Sequence, residues 1–297
     1  MSLLILFMTL SAAGSVGHLH AHPIDGASRI PPALIVGRAV CGQSTWLLTE
    51  RAHLIVMTHA TRQITVREVK GLPFTDTPWG LACLADGSLW TLGAARTLVR
   101  LSAEGVVRER IELRFPRLVL FGFNDRLLFI DLPMLIARPL LATALPRGKS
   151  ESRPWPRFLG RATASRTDLF ARNLVNCGIG DGRSLPCWFA DEKTVIVSDG
   201  SHANNVSFPA LSARDVAEAT PIWDLAMGNA DTLWLLPAIG GGPRGPITGR
   251  RLVKTNRNGT ELASVELTPP GRMILAATDM TCVLLTADGT LMEVTIR

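Results

Sequence analysis

A short hairpin unit recurs along this chain of 297 residues and limits the folds available to it. In residues 81–92, two runs of alternating apolar residues are joined by an Asp-Gly pair at 86–87, which is typical of two-residue hairpin turns. Two further runs, at 97–101 and 106–113, are separated by an Ala-Glu-Gly turn. Four successive antiparallel strands make one blade of a β-propeller, so this stretch predicts such a blade.

The unit repeats with a regular period. Equivalent positions in the second strand of each unit recur about every 40–50 residues, a period typical of propellers. One interval is about twenty residues longer, and we place the insertion at residues 150–166, which are rich in Arg, Ser and Pro. We predict one all-β domain over residues 23–297, a six-bladed β-propeller of four-stranded antiparallel blades. The equivalent positions are Trp46, Trp90, Phe129, Ile196, Trp234 and Leu284.

The tryptophans at three of these positions, Trp46, Trp90 and Trp234, are interpreted as packing between blades. The last unit has only three clear strands. Because a closed ring has no exposed strand edges, we expect an N-terminal segment within residues 30–36 to supply the fourth strand.

The N-terminus has the pattern of a secretory leader. An apolar run at 3–10 is followed by small residues at 11–15, so we predict a signal peptide over residues 1–22, with cleavage after Ser15 or after Ala21. The run is shorter than the roughly 20 residues that cross a bilayer, and no later segment is long enough. We expect a secreted or periplasmic monomer without a membrane span.

Composition restricts the partners. Hydrophobic residues make up 47% of the chain and charged residues 19%, which suits strands buried on both faces. The net charge of +6 favours anionic partners through long-range attraction. Basic and aromatic residues do not interleave and the chain has no Tyr, which argues against nucleic-acid binding.

Two of the five cysteines, Cys177 and Cys187, bracket a turn rich in Gly and Asp. In an exported protein they predict a disulfide across a hairpin, and two free thiols are the alternative. The cysteines show no pairing of the kind that binds zinc, so no zinc site is expected.

Residues 78–90, PWGLACLADGSLW, resemble the repeat of NHL-type propellers, and residues 189–206 are similar to that repeat and to a blade of gluconolactonase/regucalcin-like propellers. The enzymes of the latter group hold a divalent metal with a Glu, an Asn and an Asp on innermost strands. The resemblance matches Asn176 to that Asn and Asp224 to that Asp. The first innermost strand, around residues 35–40, has Arg38 and no Glu.

Residues near the start of the innermost strands line the central funnel of a propeller. Arginine presents a fixed fork of donors to carboxylate or phosphate, so this set predicts a site for an anionic or sugar-like ligand. The alternative is that the arginines only solvate the mouth of the channel. The predicted site residues are Arg38, Trp79, Arg117, Asn176, Asp224 and Arg272.

Two classes of function follow. The first is an exported binding module that needs no cofactor and takes a protein or an anionic or glycan ligand at its rim, including residues 150–166, or at its funnel. The second, implied by the resemblance, is a small-molecule hydrolase or lyase with a divalent metal in the central channel.

Overall fold

The computed structural model describes residues 18–24, 26, 29–30, 35–72, 79–93, 97–112, 117–123, 126–131, 141–145, 151–154, 175–180, 184–189, 194–198, 203–207, 224–228, 232–237 and 249–296. Regular structure within these ranges is entirely β, in 23 strands. No helix in them is long and apolar enough to cross a membrane.

Four of the five sheets have four antiparallel strands each, in chain order, as predicted. Sheets I and II are formed by β2 (Ile35–Cys41), β3 (Ser44–Thr49), β4 (His53–Thr58) and β5 (Ile64–Glu68), and by β6 (Trp79–Cys83), β7 (Leu89–Gly93), β8 (Thr97–Leu101) and β9 (Val107–Glu112). Sheets III and IV are formed by β10 (Arg117–Phe123), β11 (Arg126–Asp131), β12 (Leu141–Leu145) and β13 (Glu151–Pro154), and by β14 (Val175–Cys177), β15 (Leu185–Phe189), β16 (Thr194–Ser198) and β17 (Ala203–Ser207).

The fifth sheet, here called the closing sheet, has seven strands in the order β18-β19-β20-β21-β22-β23-β1. Its strands are β1 (Leu19–Pro23), β18 (Asp224–Met227), β19 (Thr232–Leu236), β20 (Gly249–Asn256), β21 (Glu261–Ala277), β22 (Thr281–Thr286) and β23 (Leu291–Ile296). The sequence predicts separate strands at 261–267 and 274–277. They are one continuous 17-residue strand, β21, whose first part pairs with β20 and whose second part pairs with β22.

The first strands of neighbouring sheets lie beside one another, so they form the inner layer of the molecule. β2 contacts β6, and β6 contacts β10. The Ile179 amide donates to the Leu225 carbonyl at 3.0 Å, which joins the end of sheet IV to β18. At Gly37 the strands are so close that a Cβ would lie 2.5 Å from the carbonyl carbon of Gly80, so only glycine fits.

The apolar core lies between the sheets. Trp46 of sheet I packs with Leu81 and Val99 of sheet II, while Trp234 packs with Ile274 and Leu284 inside the closing sheet. Both tryptophans are buried, as the packing interpretation predicts. Trp90 is half-buried, and the Arg100 guanidinium lies 5.9 Å from its ring centroid.

The closing strand comes from a different segment than predicted. β1, at residues 19–23, pairs antiparallel with β23 and occupies the outer edge of the closing sheet. Within the predicted segment 30–36, Ile30 is instead a buried side chain that packs with Leu47 and Leu285, and residues 35–36 belong to β2. The prediction was wrong because β1, at residues 19–23, overlaps the leader predicted at 1–22, so its alternating pattern was assigned to the leader.

The predicted insertion at 150–166 begins with sheet structure. Residues 151–154 form β13, the outer strand of sheet III, where Ala144 lies opposite Glu151. Residues 155–166 lie outside the described ranges.

A disulfide joins Cys41 at the end of β2 to Cys83 at the end of β6, with 5.6 Å between the Cα atoms. It covalently links sheets I and II near the centre. The sequence contained a signal for it, since both cysteines end the first strand of consecutive units. Cys177 and Cys187 are opposite one another across β14 and β15, as expected for their hairpin, but their side chains are outside the described part of the structure. A disulfide between them remains a prediction.

Replacing Cys41 and Cys83 together by alanine should lower the free energy of unfolding by about 2–4 kcal/mol, because the cross-link restricts the unfolded chain. The bond closes a loop with a sequence separation of 42. Urea unfolding with and without reductant measures the effect. Without reductant the double variant should be less stable than the wild-type chain, and reductant should reduce or remove this difference; equal stability of the two proteins without reductant would contradict the prediction.

Candidate functional site

All six residues predicted to line the funnel lie on strands of the inner layer or on the second part of β21. The side chains of Trp79, Arg117 and Asn176 are outside the described part of the structure. Their strand positions are Arg38 on β2, Trp79 on β6, Arg117 on β10, Asn176 on β14, Asp224 on β18 and Arg272 on β21.

Arg38 and Asp224 form a bidentate ion pair across the centre of the molecule. Nη2 of Arg38 donates to Oδ1 of Asp224 at 2.8 Å, and Nη1 donates to Oδ2. Nη1 also donates to the carbonyl of Ile274 at 2.6 Å. The guanidinium therefore connects sheet I to two strands of the closing sheet, β18 and β21.

The Asp224 carboxylate accepts two further hydrogen bonds, both from backbone amides. The amide of Leu225 donates to Oδ1 at 2.8 Å, and the amide of Ile274 donates to Oδ2 at 2.7 Å. The side chains of Arg38 and Asp224 are 12% and 7% exposed. Each carboxylate oxygen thus accepts two hydrogen bonds in a mostly dry setting, which satisfies a buried charge well.

This arrangement does not fit the divalent metal that the resemblance implies. A hard cation needs several free oxygen ligands, whereas both oxygens of Asp224 already face Arg38 and backbone amides. The guanidinium is itself a cation and would repel a metal ion at the same carboxylate. Within the described ranges, no group of three or more His, Cys, Asp or Glu side chains is placed to hold a metal.

Arg272 lies two residues before Ile274 on β21, on the same strand that accepts from Arg38. It is half-buried, and burial lowers the pKa of its guanidinium from the ordinary value. Arginine stays protonated at neutral pH, so Arg272 carries a positive charge on the strand whose Ile274 carbonyl accepts from Arg38.

The free thiol of Cys282 is not a nucleophile. Cys282 on β22 is fully buried, and burial followed by the negative charge of Asp224 raises its pKa well above the ordinary value. A protonated thiol in an apolar core is inert.

Polar contacts also join sheet I to the closing sheet away from the centre. Thr45 donates to the carbonyl of Leu275, and its hydroxyl oxygen lies 2.8 Å from Nε2 of His59, which acts as the donor in that contact. Arg62 bonds Glu293 of β23 at 2.5 Å. This junction, together with the Ile30 cluster, links the first sheet to the last.

The junction should weaken in acid because of His59. Burial, and to a smaller extent Arg62, lower the pKa of His59 below its ordinary value of 6.5. The folded state therefore favours neutral His59, so its stabilising contribution is complete above pH 6.5 and is lost as pH falls from there through the folded pKa. Glu293 and His22, whose facing atoms lie 3.7 Å apart, belong to the same junction, and both are unchanged in the variant considered next.

We expect His59→Gln, which keeps a donor for Thr45, to flatten this acid dependence. Urea unfolding of both proteins between pH 7.5 and 5 would measure it, with a ceiling of about 1.4 kcal/mol per pH unit for one proton. Parallel pH profiles for wild type and variant would show that His59 is not the group responsible.

Comparisons with known proteins concern the fold. No protein-family model matches the chain, and no curated protein matches its sequence. Among solved structures, a gluconolactonase from Xanthomonas campestris is similar at 14% identity and a TM-score of 0.53, covering 89% of this chain and 86% of that one. A catalytically inactive virginiamycin B lyase from Staphylococcus aureus, solved with quinupristin, is similar at 13% identity and 0.51, covering 94% and 100%.

YCF48 bound to D1 peptide is similar at 12% identity and a TM-score of 0.50, covering 93% of this chain and 96% of that one. These proteins share an architecture of antiparallel sheets arranged around a centre, and identities this low speak for the fold alone. This chain is a β-propeller.

Proposed function

We propose that this chain is an exported six-bladed β-propeller that acts as a binding module. The six blades are sheets I to IV and the two halves of the closing sheet, which share β21. The ligand carries anionic or sugar-like groups, either on a small molecule in the funnel or on an acidic segment of a partner protein.

The observation that carries the proposal is the satisfied carboxylate of Asp224. Metal-dependent hydrolysis in the channel would require this carboxylate as a ligand. It would first have to leave Arg38 and two backbone amides, exposing a buried arginine charge. Binding needs no such rearrangement.

The choice of ligand class rests on the residue types at the predicted funnel positions. Arg38 is paired with Asp224, and Arg117 and Arg272 add two further guanidinium groups at predicted funnel positions, a residue type that suits carboxylate or phosphate. Trp79 would offer an apolar face for a sugar ring and Asn176 a hydrogen-bonding amide. The net charge of +6 would add long-range steering.

The similar structures include both functional classes, since YCF48 is bound to a peptide while the other two proteins are named as a gluconolactonase and a lyase. Their fold does not separate the two for this chain. The Arg38–Asp224 pair favours binding over metal-dependent hydrolysis.

Calorimetric titration of the exported protein with gluconate and with a hexaglutamate peptide would test the proposal. Arg272→Gln and Arg117→Gln should each lower the affinity for the probe that binds by about tenfold or more, because a charge-assisted contact is lost. Arg108→Gln, an exposed arginine on the outer strand β9, is the matched control. Binding of gluconate would identify the funnel as a small-molecule site, and binding of the peptide would identify the ligand as an acidic protein segment. The proposal would be overturned if neither probe bound at millimolar concentration, or if Arg108→Gln lowered the affinity as much as the funnel variants.

Metal analysis after mild purification, together with a lactone hydrolysis assay, tests the alternative that the chain is a metal-dependent hydrolase. The proposal predicts less than one bound divalent ion per chain and no turnover above background. One tightly bound ion together with turnover that Asp224→Asn abolishes would establish a metal-dependent hydrolase instead.

A further inference from the structure

The outermost strand of the closing sheet determines where the leader can end. β1 pairs with β23 along its whole length, from Leu19 opposite Ile296 to Pro23 opposite Met292. The Ile24 amide then donates to the Leu291 carbonyl at 3.0 Å. These backbone bonds occupy the edge of β23, which an open ring would expose to solvent.

The side chains of β1 contribute to the core as well. Leu19 is 9% exposed and packs in the cluster of Trp234, Ile274 and Leu284, with Ala21 against the same cluster. His20 and His22 alternate with them and are exposed. This alternation is that of an edge strand with one buried face.

The two cleavage positions predicted from sequence differ in what they leave. Cleavage after Ala21 would remove three of the five residues of β1, including Leu19, and would place bulky Leu19 at position −3 of the site. Cleavage after Ser15 places Ala13 at −3 and Ser15 at −1, both small as leader peptidases require, and leaves β1 whole. Residues 13–16 themselves lie outside the described ranges.

We propose that the leader is cleaved between Ser15 and Val16 and that the mature chain keeps β1 to close the ring. In this step the host leader peptidase adds water across the Ser15–Val16 peptide bond, leaving a carboxylate on Ser15 and an amine on Val16.

The inference rests on the export part of the proposed function and not on its ligand. The full chain is expressed in an exporting bacterial host, and the exported protein is examined by intact mass and N-terminal sequencing. We expect a single species that begins at Val16. A mature protein beginning at His22 or Pro23 would overturn the processing proposal alone, whereas full-length chain retained in the cytoplasm would overturn export as well.

Two leader variants make the test independent of folding. Ala13→Lys places a charge at −3 of the proposed site, so uncleaved precursor should accumulate at least fivefold over wild type. Ala21→Lys is the matched control and should be cleaved between Ser15 and Val16, as in the wild type. The readout is the length of the released leader, which does not depend on whether the mature chain folds. The reverse result, with Ala21→Lys blocking cleavage and Ala13→Lys not, would assign the site to Ala21 and overturn the proposal.

Discussion

A chain that begins at Ile24 should be several kcal/mol less stable than one that begins at Val16. The shorter chain lacks β1, so it loses the burial of Leu19, which is about 2 kcal/mol for a leucine side chain. It also loses the hydrogen bonds between β1 and β23, each with a net contribution of about 1 kcal/mol. The expected loss of at least about 4 kcal/mol is a large part of the stability of an ordinary domain.

The unpaired edge of β23 should make the shorter chain aggregate as well, because an open edge pairs with other strands. Urea unfolding and light scattering measure the two effects. Leu19→Ala in the longer chain is the intermediate case, with an expected loss of about 2–3 kcal/mol. If the chain beginning at Ile24 stays within 1 kcal/mol of the longer one and remains monomeric, then β1 does not close the ring.

The second large effect is expected at the central ion pair. Arg38→Met leaves the Asp224 carboxylate without its counter-charge, and Asp224→Asn turns an amide group toward donors that need an acceptor. Removing one member of a buried pair costs about 3–5 kcal/mol, because the remaining group stays buried and uncompensated. Both variants should therefore show a much lower urea midpoint than the wild-type chain.

Arg100→Met is the matched control for the central arginine. Arg100 lies 3.8 Å from Asp86, and the two side chains are 43% and 45% exposed. Solvent screens such a pair, so its loss should cost no more than about 1 kcal/mol. A central variant that costs as little as this control would mean that Arg38 and Asp224 are solvated separately.

Much of the strand pattern is local and could be predicted from sequence. β8 begins and ends at the predicted residues, 97 and 101, and β9 differs from the predicted run 106–113 by one residue at each end, because side-chain period and turn residues act over a few positions. β21 differs since nothing in the local pattern distinguishes a strand shared by two units from two separate strands. β21 is continuous because its first part pairs with β20 on one side and its second part pairs with β22 on the other.

Contacts between distant units could not be predicted from the sequence. The positions of the six funnel residues on first strands follow from the repeat, but the pairing of Arg38 with Asp224 joins residues 186 apart. The same holds for the bond between Cys41 and Cys83, which are not neighbours in any hairpin. Opposite charges and cysteines at equivalent repeat positions were the only signals, and neither identifies a partner without the ring.

The coupling free energy between Arg38 and Asp224 tests ring closure most directly. A double-mutant cycle compares wild type, Arg38→Met, Asp224→Leu and the combined variant by urea unfolding. Because the first sheet meets the closing sheet through this pair, we predict a coupling of about 2 kcal/mol or more, with the combined variant more stable than the sum of the single losses implies. Losses that add within about 0.5 kcal/mol would show that the two residues do not touch and would contradict closure of the ring at this point.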